Sequence, residues 1–176
     1  MAGSGRSLEA WCLTPRLVLQ PVPWDVVLDV AAGHRRGQWA ADYPSEGDVV
    51  IMDLLYRAGP AAWPGTERSW GHRQVIERRS GLAVGGIGFS GPPERGAVEL
   101  GYGIVPSRQG RGYATEAVSA MAVLAWAHPA VTTVRAGTDP GNVASQRVLE
   151  KAGFRRAAGA GEYRYRLDRP EVTARG

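Results

Sequence analysis

Cysteine and lysine are nearly missing from this chain of 176 residues, each occurring once, as Cys12 and Lys151. A single cysteine cannot close an internal disulfide, so the fold must rest on its apolar core, and no oxidising compartment is implied. Histidine is scarce too. His34, His72 and His128 fall at no spacing that would gather a metal, so each reads as a surface or loop residue and no metal is expected. Long hydrophobic runs are lacking. The longest, Ala120–Ala127, falls far short of the roughly 20 residues that cross a bilayer, and Met1–Ser7 has no apolar stretch of the kind a secretory signal needs. The expectation is a cytoplasmic protein with no membrane span. Charge is not concentrated either: 21 Lys and Arg against 17 Asp and Glu give a net +4, scattered in ones and twos. Without a basic stripe and interleaved aromatics, nucleic acid is disfavoured as a partner, and a phosphorylated small molecule would use the same charge.

What is present suits one domain spanning residues 1–176, because 44% apolar residues supply a sizeable core. The ends, about 1–12 and 169–176, are expected to fray. Leu17 and Leu19 alternate with polar neighbours in Arg16–Gln20, the pattern of a half-buried strand closed by Pro21 and Pro23. From Asp25 to Tyr56 the apolar positions recur at helical spacing around a break at Asp42–Gly47, which predicts two helices and a loop. Gly59–Gly65 reads as a connection. His72–Arg78, Leu82–Phe89 and Ala97–Val105 form an antiparallel meander joined by turns at Ser80-Gly81 and Gly91–Gly96. A helix opened by glycines, a strand at Val131–Ala136, a helix at Asn142–Ala152 with Asn142 as N-cap, and a strand at Glu162–Asp168 complete the chain.

Two features carry chemistry. In Ala97–Val105 the period of two places Glu99, Gly101, Gly103 and Val105 on one face. A carboxylate beside two positions without side chains lets a ligand approach closely, or marks a bulge in a twisted sheet. Glu99 is a candidate general base if partial burial raises its pKa; the bland alternative is a carboxylate paired with an arginine. The second feature is Gly110-Arg111-Gly112-Tyr113-Ala114, whose unpaired N–H groups at a helix N-terminus form a site for phosphate. It is neither a dinucleotide fingerprint, since no third glycine follows Gly101 and Gly103 before Pro106, nor a P-loop, since no Lys-Ser/Thr follows Gly112. Trp39, Asp42, Tyr43, Glu46 and Asp48 cluster in the first interhelical loop, as an ordinary packed loop or as an acidic and aromatic pocket for a cation. Cys12 has no base placed beside it by sequence.

The succession Gly-Tyr-Gly-Ile-Val-Pro, Gln-Gly-Arg-Gly-Tyr-Ala-Thr-Glu-Ala, helix, strand, then Asn142-Val-Ala-Ser145 through Lys151-Ala-Gly153-Phe154 resembles the GNAT superfamily of acetyltransferases. Thr14-Pro15-Arg16-Leu17-Val18-Leu19 is similar to the opening strand of its ribosomal-protein N-terminal acetyltransferase branch. The resemblance implies an α/β fold with a mixed, mainly antiparallel, seven-stranded sheet, splayed near its middle and flanked by helices on both faces. It implies acetyl-CoA as acyl donor, with the pyrophosphate loop on Gly110 and Gly112 led by Ser107, or shifted by two to Gln109, Gly112 and Ala114. Ile104 and Val105 would meet the pantetheine arm, with the N–H of Val105 or a near neighbour on the thioester oxygen. Asn142 would contact pantetheine or acceptor as well as cap its helix. Where many members carry a Tyr this chain has Leu149, so Ser145 becomes the candidate acid, its alternative being a serine that supports the cap at N3. Trp39 and Tyr43 would shape the site of an amine acceptor, either a small molecule or a protein N-terminus. With no convincing nucleophile, direct attack in a ternary complex is expected. A non-catalytic acyl-CoA-binding or sensor module is the rival reading, and assembly as a homodimer stays open.

Overall fold

The computed structural model describes residues 11–62, 70–157 and 163–171. The ends 1–10 and 172–176, residues 63–65 of the expected connection, and Glu162 lie outside the described residues. The strands are β1 (Cys12–Leu13), β2 (Leu17–Pro21), β3 (His72–Glu77), β4 (Leu82–Phe89), β5 (Ala97–Ile104), β6 (Thr133–Thr138), β7 (Arg155–Arg156) and β8 (Tyr163–Asp168). The helices are α1 (Trp24–Ala31), α2 (Glu46–Ala58), α3 (Tyr113–Trp126) and α4 (Val143–Lys151). The strands lie in the order β1-β2-β3-β4-β5-β6-β8-β7 as one sheet of eight, in place of the seven expected. β1 and β7 have two residues each, too few for alternation to register in the sequence.

β5 and β6 are parallel and every other neighbouring pair is antiparallel. The parallel pair is short: only Ala97–Glu99 meets Thr133–Arg135. Beyond it, among the described residues, Leu100–Ile104 pairs with β4 alone and Ala136–Thr138 with β8 alone, so the sheet opens there into a V.

Helices cover both faces. A Cβ added at Gly86 or at its cross-strand partner Gly103 would meet Asp48 or Ser45, which places α2 over that face. On the opposite face Tyr102 reaches Ser145 of α4, and α3 packs beside α4. Leu17, Leu19, Val75, Ile87, Met121 and Leu149 are fully buried, each contributing roughly 1.5–3 kcal/mol of apolar transfer free energy. Small residues on α3, namely Ala117, Ala122 and Ala125, are buried and let that helix lie close to the sheet.

Two expected loose ends are held. Cys12 pairs with Leu19 in the sheet. Arg169, expected to begin a frayed tail, donates its backbone N–H to Thr132 O and its guanidinium to the carbonyls of Trp126 and His128. These carbonyls lie at and just beyond the end of α3, where unpaired acceptors and the negative pole of the dipole favour a cation.

Candidate active site

The turn before α3 is built to leave backbone donors open. Gly110 and Gly112 have φ of 73° and 79°, a region that costs a residue with a Cβ roughly 1–2 kcal/mol. Gly112 is the N-cap and has no side chain to bond the first N–H groups of the helix, and no other side chain among the described residues bonds to them. The amides of Tyr113 and Ala114 therefore face outward with the positive end of the dipole. A buried carboxylate anchors the turn from behind. Glu77 accepts hydrogen bonds from the hydroxyls of Ser80 and Tyr113 and lies 3.6 and 3.7 Å from the guanidinium groups of Arg108 and Arg111. The Ser80 and Tyr113 hydroxyls, with the two arginines, hold its carboxyl below the usual range. Arg16 stacks over the Tyr113 ring, pairs with Glu116 at 2.7 Å and donates to Arg111 O. The Tyr113 side chain is thus buried in the scaffold, and only its backbone is available to a ligand.

Both candidate leaders of the loop brace it. Ser107 donates its N–H and hydroxyl to Asp42, both at 2.8 Å, and Gln109 Nε2 donates to Ile104 O at 2.8 Å. Hydrogen bonds from Ser107, its backbone first, lower the pKa of Asp42.

The V between β5 and β6 exposes a strand edge. Val105 N–H donates to Val84 O and Glu99 O accepts from Ser90 N, so odd-numbered residues of this segment direct their backbone groups at β4. By alternation, Tyr102 and Ile104 direct theirs at the open side. Of the two options expected for the thioester oxygen, the N–H of Val105 or of a near neighbour, the structure removes Val105 itself: its amide is already paired with Val84 O, and its side chain is fully buried. The amides of its near neighbours Tyr102 and Ile104 face the open side.

On the α2 face, against the same stretch of β5, lies a cavity of about 410 Å³. Its sheet side is cleared of side chains by Gly86, Gly88, Gly101 and Gly103, while Val50 and Ile51 supply an apolar wall. Asp48 and His72 also line it. Asp48 is buried; Oδ2 accepts from Ser45 N and Oγ, and Oδ1 lies 3.0 Å from His72 Nε2. Asp48 also completes the capping box that starts α2. A Cβ at Gly86 would overlap both Asp48 Oδ1 and His72 Nε2, so a glycine there is what lets this pair rest on the sheet.

The expected site residues have mixed fates. Ser145 faces Tyr102, with 2.8 Å between the hydroxyls, and the phenol is also 3.1 Å from Ser145 O. Burial raises the Tyr102 pKa. Asn142 caps α4 by accepting from Ser145 N, so the Ser145 hydroxyl is not needed as a cap. Leu149 is fully buried, and Tyr102 brings a phenol to Ser145 from β5 instead. Glu99 is exposed, without the burial expected to tune it. It stands across from Arg135 in the β5–β6 register, yet no ion pair joins them among the described residues, and both line a second groove of about 260 Å³. Trp39 and Tyr43 do not line the 410 Å³ cavity. They pack edge to face in the core with ring centroids 5.4 Å apart, and the Tyr43 hydroxyl accepts from Gln74. His72 overturns its assignment to the surface or a loop, since it opens β3 and faces a buried carboxylate. Nothing in its sequence neighbourhood signals this partner 24 residues away, although Ser45-x-x-Asp48 is a legible capping box.

A phosphate-ready turn feeding an open strand edge, with a cavity across the strand, is the arrangement a thioester donor and a second substrate require. The family of GNAT acetyltransferase domains matches residues 16–155. The chain belongs to the GNAT acetyltransferase family. It is 32% identical over 92 residues to an uncharacterised N-acetyltransferase of Bacillus subtilis, covering 52% of this chain and 55% of that relative, so the chain spans about half the length of this curated relative. Among solved structures, a Vibrio cholerae protein described as a putative ribosomal-protein-serine acetyltransferase superposes with a TM-score of 0.68 at 20% identity, covering 93% of this chain and 99% of that one. The aminoglycoside acetyltransferase AAC(6')-Ib, solved with coenzyme A, superposes with a TM-score of 0.59 at 19% identity, covering 87% and 95%. At these identities the two structures establish the shared fold. Within this GNAT fold no helix among the described residues is long and apolar enough to cross a membrane.

Proposed function

We propose that this GNAT protein transfers the acetyl group of acetyl-CoA to a primary amine by direct attack within a ternary complex. The observation that carries the reading is the edge of β5 left without a strand partner among the described residues, between the open N-terminus of α3 and the 410 Å³ cavity. The amides of residues 110–114 would hold the pyrophosphate, with Arg108 and Arg111 adding charge, and the pantetheine arm would lie along β5. The amide of Tyr102 or Ile104 would receive the developing oxyanion, an effect worth roughly 3 kcal/mol for one well-placed donor. The Ser145–Tyr102 hydroxyl pair would pass a proton to the departing thiolate. Glu99, on the same side of β5 as Gly101, would draw the protonated amine toward the cavity.

The acceptor class is a primary amine, with a protein N-terminus and an aminoglycoside as the leading forms. Release of coenzyme A from acetyl-CoA should accelerate with at least one member of a panel of serine- and alanine-initiated peptides, paromomycin, spermidine and free amino acids. Tight acetyl-CoA binding without turnover of any amine would make the protein a sensor module instead.

A further inference from the structure

We infer that His72, oriented by Asp48, is the group that takes the proton from the acceptor amine. The inference rests on the acetyl-transfer reading and assigns its base. An ionised carboxylate only accepts hydrogen bonds, so the 3.0 Å contact makes His72 Nε2 the donor to Asp48 and leaves Nδ1 with a free lone pair. Nδ1 has no hydrogen-bond partner among the described residues. The side chain is 11% exposed and lines the cavity. Asp48 itself is fully engaged by Ser45 and His72, so the imidazole is what the pair presents to a substrate.

Position supports the assignment as strongly as bonding. The imidazole and carboxylate lie on Gly86, and Gly86 is the cross-strand partner of Gly103. Adjacent strands are about 4.8 Å apart, so an amine held over Gly103 lies within reach of the imidazole and of a thioester at the Tyr102–Ile104 edge. Among the described residues the ionisable side chains at the cavity are Asp48 from α2 and His72 from β3; Tyr102 of β5 lines it too but turns its phenol to Ser145 on the other face, Glu99 lies exposed on the cavity side of β5, and the Tyr43 phenol lies near Asp48 from the loop before α2. Imidazole is the side chain best suited to exchange protons near neutral pH.

The acceptor ammonium gives one proton to His72 Nδ1, and Asp48 stabilises the resulting imidazolium through Nε2–H. The freed lone pair forms the C–N bond at the thioester carbonyl and the C–S bond then breaks. The nitrogen loses a second proton as the amide forms, and the thiolate gains one through Ser145 and Tyr102. One proton remains in all, on His72, and returns to solvent.

The test is the pH dependence of kcat/KM for His72→Gln and Glu99→Gln with a serine-initiated peptide and paromomycin, alongside calorimetry with acetyl-CoA. His72→Gln should bind acetyl-CoA as before, lose roughly a hundredfold or more at neutral pH, and recover at high pH as free amine becomes abundant. Its acidic limb should shift to the ionisation of the acceptor itself. Glu99→Gln should raise KM and leave the limb in place. Asp48→Asn should reproduce part of the His72→Gln loss, with thermal melts separating the weakened α2 cap from the rate effect. A folded His72→Gln protein with its limb unmoved and its rate within a few-fold overturns the inference, as does a limb that moves with Glu99. No turnover of any amine by the unsubstituted protein overturns acetyl transfer, and this assignment with it.

Discussion

The Tyr102 and Ser145 hydroxyls are 2.8 Å apart and come from elements 43 residues apart in the chain. Because Asn142 provides the α4 cap, Ser145→Ala should leave the melting temperature nearly unchanged. If the hydroxyl delivers the proton to the departing thiolate, as proposed, turnover should fall roughly ten- to a thousandfold at normal acetyl-CoA affinity. Tyr102→Phe should behave alike. If the two hydroxyls act as one relay, the double variant should lose little more than either single one, and steady-state rates of all four proteins measure that coupling. Losses that multiply would mean two independent roles.

At the scale of elements, the turn between β5 and α3 is held by groups from distant parts of the chain. Glu77 of β3 is the central one, and its folded-state pKa lies below the usual glutamate value of 4.5, through the Ser80 and Tyr113 hydroxyls first and the arginines after. A carboxyl held down in this way binds fewer protons when folded, so its stabilisation is complete above the unfolded pKa and disappears as pH falls through the folded one. Glu77→Gln should therefore lower the urea midpoint by a constant amount from about pH 6 to 8. The gap should narrow in acid below roughly pH 4. Midpoints measured from pH 2.5 to 8 check this, and a gap that persists unchanged into acid would assign the loss to packing instead.

At the scale of the whole molecule, the first strands and the sheet centre both meet at the α3 N-terminus. Arg16 pairs with Glu116, Thr14 donates to Glu116, Glu77 receives Tyr113, and Asp42 receives Ser107. A ligand seated there should stabilise the entire fold and not one loop. Acetyl-CoA at a hundred times its Kd should add about 2.7 kcal/mol, which for a domain of this size is a rise of several degrees in Tm. Gly112→Asp adds a side chain at φ 79° and a charge that repels phosphate. That variant should fold and show no acetyl-CoA-dependent rise in a thermal melt; an unchanged rise would remove the turn from the binding site.

The order of elements and the place of the glycine turn before α3 were determined by the sequence itself, because both rest on local rules. Period-two alternation in Ala97–Ile104, helical spacing in α2 and α3, and glycines before a helix concern residues that are neighbours in the chain. β1 and β7 escaped because two residues carry no period, and their pairing is decided by the strand beside them. The surroundings of the candidate site residues were decided at longer range. The side chain of Glu99 is on the expected face, but only the sheet shows that no helix covers it. Between Val105 and its near neighbours, both open in the sequence, the sheet decides against Val105, because Val84, 21 residues earlier, takes its amide. Tyr43 and Trp39 look like pocket aromatics in sequence and are core in the fold, since α1, α2 and the loop between them wrap them against the sheet. His72 and Asp48 meet only because β4 carries a glycine at position 86, where any side chain would fill the space the pair occupies.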